Sequence, residues 1–183
     1  MLKLYGGTRS RAAIVAWYLE ELAVPYEFVR LDMAQGAHRQ PDYLGINPMG
    51  KVPAIVDDGA VVWESGAILL YLADKYGQLP PEVGQRGVIY QWVLFSNSTL
   101  VQALAPADKR EAELAKLLPP LQQILSDQEY ITGNEFTVAD VALGSILGFA
   151  VSMFNLDFSP YPALGAYLQR CSQRPAFQKA MAG

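Results

Sequence analysis

The chain has 183 residues but very little of what disulfides and metal centres are made from. It contains one cysteine, Cys171, and one histidine, His38. A disulfide within the chain is therefore excluded, and a reducing, cytoplasmic location is expected. Because neither residue has a partner of its own kind, no metal centre is predicted.

Charge and long apolar runs are also scarce. Charged residues make up 17% of the chain, and the net charge is −4 at pH 7. Such a mildly acidic chain has no general attraction to nucleic acid or to an anionic membrane, so neither is expected as a partner. The first residues, MLKLYGGTRSR, lack the apolar region of a secretory signal. The most apolar stretch, 141–154, is interrupted by glycines and serines, which suits a buried helix better than a membrane span.

What the chain does have is apolar material for a core, since hydrophobic residues make up 51% of it. Its first part alternates strand and helix patterns. Strands are predicted over 2–5, 26–31, 51–56 and 60–63, with helices over 10–23 and 64–76. Asp57-Asp58-Gly59 indicates a hairpin between the last two strands. The order β-α-β-loop-β-β-α is that of an α/β thioredoxin-like domain.

The second part has no strand pattern. A Pro- and Gly-rich break, GQLPPEVG, precedes a series of helical patterns over 86–104, 109–126, 137–154, 161–172 and 175–182. We therefore predict a thioredoxin-like domain over 1–77, a linker over 78–84 and an all-helical domain over 85–183. Thr137 and Asp140 have the spacing of a capping box at a helix start, which predicts a folding role without chemistry.

Val52-Pro53 lies where the third strand is predicted to begin. Because proline cannot donate to the sheet ladder, the pair fits an edge position. The alternative is a cis peptide bond, which would turn the Val52 backbone toward a peptide-like ligand. The proline alone favours a trans peptide bond over a cis one.

Glu64-Ser65 stands at the start of the third predicted helix. Free N–H groups and the positive end of the helix dipole lie there. The pair can bind the ammonium and carboxylate of an α-amino acid, or it can simply cap the helix.

A basic loop and a glycine turn are the remaining candidates. His38, Arg39 and Lys51 can hold a carboxylate, or they can belong to a solvated loop. The segment YGGTRSR (5–11) joins a strand end, a glycine turn and a helix start, with hydroxyls on Tyr5, Thr8 and Ser10. It is neither a Walker loop nor a GxGxxG fingerprint. The chain has no C-x-x-C, which excludes dithiol exchange of the thioredoxin type.

Together these segments resemble the glutathione transferase family. The matching stretches are LKLYGG, WYLEELAVPYE, HRQPDYLGINPMGKVPAIVDDG, WESGAILLYLADKYG and YITGNEFTVADVALG. The resemblance covers nearly the whole chain, and NPxGKVPAI followed by ESxAIxxYL is highly specific. It implies that glutathione is the cosubstrate.

The resemblance also implies a role for each candidate. Val52 before a cis Pro53 would pair with the cysteinyl backbone of glutathione. Glu64 and Ser65 would hold the γ-glutamyl end. Lys51, with His38 or Arg39, would hold the glycine carboxylate. With these roles, the cis form of Val52-Pro53 becomes the prediction.

The implied activity is the conjugation of glutathione to small hydrophobic electrophiles in detoxification, by a homodimer and without a metal. The short chain and its SRA motif look most like chi-type transferases, which implies activity on isothiocyanates. One alternative is a non-catalytic module with this fold. Another is reduction by a catalytic cysteine, which the position of Cys171 in the penultimate predicted helix disfavours.

The residue that activates the glutathione thiol is predicted to be Ser10. It is expected at a helix N-terminus, where the dipole stabilises an anion, with Arg11 adding positive charge. Tyr5, at the position where tyrosine-type members of the family carry their catalytic residue, is the alternative.

Overall fold

Two structural units make up the chain. The computed structural model describes residues 1–7 and 9–182. The first unit comprises Met1–Tyr76 together with the last helix, and the second comprises Gly77–Arg174.

The first unit contains the predicted order of strands and helices. Its elements are β1 (Leu2–Gly6), α1 (Ala12–Glu21), β2 (Tyr26–Arg30), a 3₁₀ turn (Ala37–Arg39), α2 (Pro41–Leu44), β3 (Ala54–Asp57), β4 (Ala60–Trp63) and α3 (Ser65–Lys75). The strands form one sheet in the order β2-β1-β3-β4. Strands β1 and β2 are parallel, as two paired strands joined by a helix usually are, and β3 is antiparallel to both of its neighbours.

The hairpin between β3 and β4 forms where it was predicted. Asp58 and Gly59 make the turn with φ angles of 49° and 89°. Two consecutive positive φ angles are what a tight two-residue hairpin turn requires. The buried carboxylate of Asp57 accepts hydrogen bonds from Tyr71 and Lys75 of α3. These bonds attach the hairpin to the helix that follows it.

The second unit is helical. Its helices are α4 (Val83–Phe95), α5 (Val101–Leu104), α6 (Arg110–Asp127), α7 (Val138–Phe154) and α8 (Pro162–Ser172). The uninterrupted helix predicted over 86–104 is wrong, because a π-helical turn, Ser96–Leu100, separates α4 from α5. Ser96 Oγ donates to the Trp92 carbonyl and Asn97 Nδ2 donates to the Val93 carbonyl. Such side-chain bonds compete with the regular backbone ladder.

The capping box at the start of α7 is confirmed. The Thr137 hydroxyl accepts a hydrogen bond from the Ala139 N–H at 3.3 Å, and Asp140 Oδ2 accepts one from the Thr137 N–H at 2.8 Å. Asp140 is completely buried, and its Oδ1 also accepts from the Ile131 N–H at 2.8 Å. The motif therefore ties α7 to the preceding loop.

The last helix, α9 (Pro175–Ala182), differs from its predicted place. The prediction assigned it to the helical domain, whereas it packs on α1 in the first unit. The rings of Trp17 and Phe177 meet edge to face at 4.9 Å, and Lys179 forms an ion pair with Glu20. The predicted linker also differs, since α4 begins within it at Val83. Across the described residues, every helix is too short or too polar to cross a membrane.

Candidate functional site

Three predicted site segments meet at one edge of the sheet. Tyr5 of β1 pairs with Ala54 of β3, and Ala54 pairs with Trp63 of β4. Because β3 runs against its neighbours, it begins where β1 and β4 end. The turn after β1, the Val52-Pro53 pair before β3 and the Glu64-Ser65 pair after β4 therefore lie along this edge, which we call the site edge.

The Val52–Pro53 peptide bond is cis, as predicted. The pair precedes β3 instead of opening it, because the ladder begins at Ala54. The missing proline N–H therefore removes no hydrogen bond from the sheet. The Lys51 carbonyl just before the pair accepts hydrogen bonds from Tyr43 Oη at 2.5 Å and Asn47 Nδ2 at 2.8 Å. These contacts hold the backbone that enters the cis bond.

Tyr43 also connects this segment to Tyr5. The two rings lie 5.9 Å apart at an angle of 48°. Tyr43 is buried and Tyr5 is partly exposed at the end of β1. Burial raises the pKa of the Tyr43 hydroxyl, which therefore stays protonated and continues to donate to Lys51. Tyr5 is thus packed against the base of the site edge.

Ser10 lies in the turn between β1 and α1. Its Oγ accepts hydrogen bonds from the Gly7 N–H at 3.2 Å and the Ala12 N–H at 3.3 Å. A hydroxyl whose lone pairs already accept two N–H groups has its own proton left to donate. The prediction that Ser10 itself begins the helix is wrong, since α1 starts at Ala12 with Arg11 as its N-cap. Ser10 nevertheless remains bonded to the first helical N–H.

The rest of this turn is charged. Arg9 and Arg11 are exposed, and Arg9 adopts a φ of 56°, which is uncommon for a residue with a side chain. Thr8, a further predicted hydroxyl, lies outside the described residues. Two exposed, positively charged side chains therefore flank Ser10 in the sequence.

In the predicted basic loop, the backbone around His38 lies close to the backbone just before Lys51. His38 and Arg39 lie in the 3₁₀ turn, and a Cβ built on Gly50 would lie 3.2 Å from the His38 carbonyl oxygen. This close approach places the His38 backbone beside the residue that precedes Lys51. The side chains of Arg39 and Lys51 are exposed.

Glu64 and Ser65 stand at the start of α3. The helix begins at Ser65, with Glu64 as its N-cap instead of its first residue. Glu64 has a φ of 74°, and Ser65 is 2% exposed. Backbone outliers of this kind in residues with side chains cluster at ligand sites. The conformation of Glu64 therefore supports a ligand site at this position, and the sequence pattern did not reveal this conformation.

The one cysteine is not available as a nucleophile. Cys171 is 2% exposed on α8, and burial raises the pKa of its thiol to about 12. Since the thiolate is the reactive form, this thiol is inert near neutral pH. Within residues 1–7 and 9–182, no group of His, Cys, Asp and Glu side chains is arranged to hold a metal ion.

We expect native protein at pH 8 to show no reaction with a thiol reagent over the time in which urea-unfolded protein reacts completely, because Cys171 is buried and protonated. Cys171→Ser should retain the wild-type catalytic rate. Rapid labelling of the native chain, or loss of activity in a folded Cys171→Ser variant, would restore a role for this residue.

The first unit is a thioredoxin-like domain with a cis proline at the site edge, and a helical unit follows it. This combination is the fold of glutathione-binding transferases. The family models described as glutathione S-transferase N-terminal domain and C-terminal domain match residues 1–74 and 89–175. The chain belongs to the glutathione S-transferase family.

Individual relatives agree with this assignment. Glutathione S-transferase 3 of Zea mays is 33% identical, over 99% of this chain and 93% of the relative. The disulfide-bond oxidoreductase YfcG of Escherichia coli is 29% identical, over 99% and 94%. The structure of the glutathione transferase URE2P6 of Phanerochaete chrysosporium, in complex with oxidised glutathione, matches with a TM-score of 0.88 and 28% identity, over 99% and 94% of the two chains.

Sequence reasoning missed the residues that support the site edge. Tyr43 and Asn47 do so through the Lys51 carbonyl. Asn47 belongs to the NPxGKVPAI motif, so its spacing from Lys51 was a usable signal. The contact of Tyr43 with Tyr5 joins distant parts of the chain and had no local signal.

Proposed function

We propose that this protein is a glutathione transferase in which Ser10 activates the glutathione thiol. The observation that carries the proposal is the hydrogen bonding of Ser10 Oγ, which accepts two backbone N–H groups and keeps its proton for a thiolate. Donors that polarise a hydroxyl in this way also make it a better donor. Arg11 adds positive charge, and Tyr5, at the end of β1, is the alternative donor.

The remaining residues of the site edge bind the peptide. The Val52 backbone, before the cis Pro53, pairs with the cysteinyl unit. Glu64 receives the γ-glutamyl ammonium, and Ser65 with the N-terminus of α3 receives its carboxylate. The cations of the basic loop, His38, Arg39 and Lys51, hold the glycine carboxylate.

The chemical step is attack of the thiolate on a carbon electrophile. An ordinary thiol has a pKa of about 8.5, so a small fraction is ionised at neutral pH. Lowering that pKa by roughly 2 units corresponds to about 2.7 kcal/mol. With an isothiocyanate, the glutathione sulfur bonds to the central carbon of the N=C=S group, and its nitrogen takes up a proton. This addition consumes no metal and no oxidant.

A disulfide reductase is the second candidate, because one relative is named a disulfide-bond oxidoreductase. The buried state of Cys171 means that such a reaction would use only the sulfur atoms of glutathione and substrate. A third candidate is a module that binds glutathione without catalysis. We further propose a homodimer in the cytoplasm.

Binding and turnover assays separate these candidates. Retention on a glutathione column tests binding. Conjugation with a panel of electrophiles that includes isothiocyanates, run beside glutathione-dependent disulfide reduction, tests the reaction. Retention without either activity would favour the non-catalytic module, and reduction without conjugation would favour the oxidoreductase.

Ser65→Ala is expected to weaken glutathione binding by about 1–3 kcal/mol, the range for losing a hydrogen bond to a charged group. This corresponds to a roughly five- to 150-fold rise in Kd, measurable by calorimetry. Ser172→Ala, which removes an exposed hydroxyl from α8, is the control. Unchanged affinity in a folded Ser65→Ala variant would remove Ser65 from the proposed site.

A further inference from the structure

The side chain of Met33 covers the glycine turn that carries Ser10. A Cβ built on Gly7 would lie 2.3 Å from Met33 Cγ and 3.1 Å from its Sδ. Real Cβ atoms essentially never approach another atom closer than 3.0 Å, so Met33 fills the space where a side chain at position 7 would stand. Gly7 does not adopt a left-handed φ, so the backbone itself would accept alanine there. With Met33 in this position, a side chain at residue 7 would fit only if the Met33 side chain or the Gly7 backbone moved.

The segment that carries Met33 is itself held in place on both sides. Before it, the Leu31 N–H donates to the Gly6 carbonyl at 2.8 Å, which continues the pairing of β1 and β2 beyond the end of β2. After it, the Ala37 N–H donates to the Asp32 carbonyl at 3.0 Å. Met33 is therefore presented to Gly7 by a loop with a defined backbone.

Gly7 connects this contact to the proposed chemistry. Its N–H donates to Ser10 Oγ at 3.2 Å and occupies one of the hydroxyl's lone pairs. The direction of the remaining hydroxyl proton depends on where that N–H lies. A displacement of Gly7 would therefore change the direction in which the Ser10 hydroxyl proton points.

We propose that Met33 is a positioning residue, whose packing on Gly7 holds the Gly7 N–H against Ser10 Oγ and so aims the Ser10 hydroxyl. The inference rests on the proposed function of Ser10. Met33 touches no substrate in this role. An unbranched thioether suits it, because methionine fills irregular space beside a backbone that has no side chain of its own.

A double-mutant cycle tests the contact directly. The variants are Gly7→Ala, Met33→Ala, both together, and Met33→Leu as the conservative replacement. Met153→Ala, which removes an exposed methionine from α7, is the matched control. Three measurements are made on each: hydrogen exchange of the residue 7 amide, the apparent pKa of the bound glutathione thiol, and kcat/KM for conjugation. Binding of S-methylglutathione, which has no ionisable thiol, reports the peptide site separately.

Gly7→Ala is expected to speed exchange of the residue 7 amide and to raise the thiol pKa. It should lower kcat/KM by about tenfold, less than the roughly 100-fold that a full 1 Å misplacement can cost. The affinity for S-methylglutathione should stay within about threefold, since the peptide-binding residues are untouched. Adding Met33→Ala should recover most of the loss, because it vacates the space that the new Cβ needs. Met33→Ala alone should also speed the exchange, and Met33→Leu should not.

The inference is overturned if Gly7→Ala keeps the wild-type exchange rate and thiol pKa, or if the loss is the same with methionine or alanine at position 33. If Gly7→Ala does not fold, the exchange rates of Met33→Ala and Met33→Leu decide the matter. If Ser10→Ala leaves the thiol pKa unchanged, the proposed function of Ser10 fails. Amide exchange then still decides, independently of activity, whether Met33 holds the turn.

Discussion

Replacing Ser10 with alanine is expected to raise the pKa of the bound glutathione thiol by roughly 1–2 units, with a drop in kcat/KM at neutral pH of about 10- to 100-fold. The variant loses the hydroxyl proton, the group that we propose stabilises the thiolate. It also leaves the Gly7 and Ala12 N–H groups without their acceptor.

The pH–rate profile distinguishes this explanation from a general loss of fold. Activity rises with pH as the thiol ionises, so the profile of Ser10→Ala should be displaced to higher pH. The gap to the wild type should narrow well above the pKa of about 8.5 that a free thiol has. Ser10→Thr, which keeps a hydroxyl, is the matched variant and should retain much of the rate.

Tyr5→Phe is the decisive comparison. Tyr5 packs on Tyr43 and lies at the end of β1, so its hydroxyl is the competing donor. If Ser10→Ala leaves both the rate and the thiol pKa unchanged while Tyr5→Phe raises that pKa, then Tyr5 has the role. If neither variant moves the pKa, the Arg side chains or the backbone N–H groups carry the activation.

The largest loss of stability is expected for Asp140→Ala. The buried carboxylate of Asp140 accepts hydrogen bonds from two backbone N–H groups, of Ile131 and Thr137, each at 2.8 Å, and from the Tyr167 hydroxyl at 3.2 Å. Removing it leaves the two backbone N–H groups without this acceptor, at about 1–3 kcal/mol each. The Tyr167 hydroxyl can still donate to the Asp140 backbone carbonyl at 3.4 Å. We expect a decrease of about 3–5 kcal/mol in the free energy of unfolding, measured with urea.

Thr137→Ala is the matched control for this variant. It removes the N-cap hydroxyl, typically about 1 kcal/mol, and leaves the carboxylate in place. A loss for Asp140→Ala no greater than that of Thr137→Ala would show that the buried carboxylate contributes little beyond an ordinary cap.

The same network has a signed pH dependence. Burial raises the pKa of the Asp140 carboxyl above its unfolded value, and the hydrogen bonds offset part of that rise. Its linkage contribution to stability is therefore fully present below the unfolded pKa of about 3.9 and is lost as pH rises through the folded pKa. The asparagine of Asp140→Asn does not titrate. The loss in free energy of unfolding relative to the wild type should therefore be smaller at pH 7 than at pH 4. A deficit that grows with pH would contradict the direction of the shift.

The sequence by itself determined the features that depend on neighbouring residues. The Asp58-Gly59 turn follows from residues that tolerate positive φ, and the capping box from the spacing of Thr137 and Asp140. The motif around Val52-Pro53 identified the family and hence the cis bond. The alternation of strand and helix patterns was enough for the order of elements in the first unit, because each pattern repeats over a single element.

Only the tertiary structure decided the features that depend on contacts between distant residues. The last helix joins the first unit because Phe177 meets Trp17, a pairing that no local spacing encodes. The close contact between Gly7 and the side chain of Met33 joins two segments that no local pattern relates. The acceptor role of Ser10 Oγ depends on how the turn after β1 folds back on itself. Local propensity favours a helix or a strand in a given segment. Packing between segments far apart in the chain decides where that helix or strand begins and which side-chain atoms are left to act on a ligand.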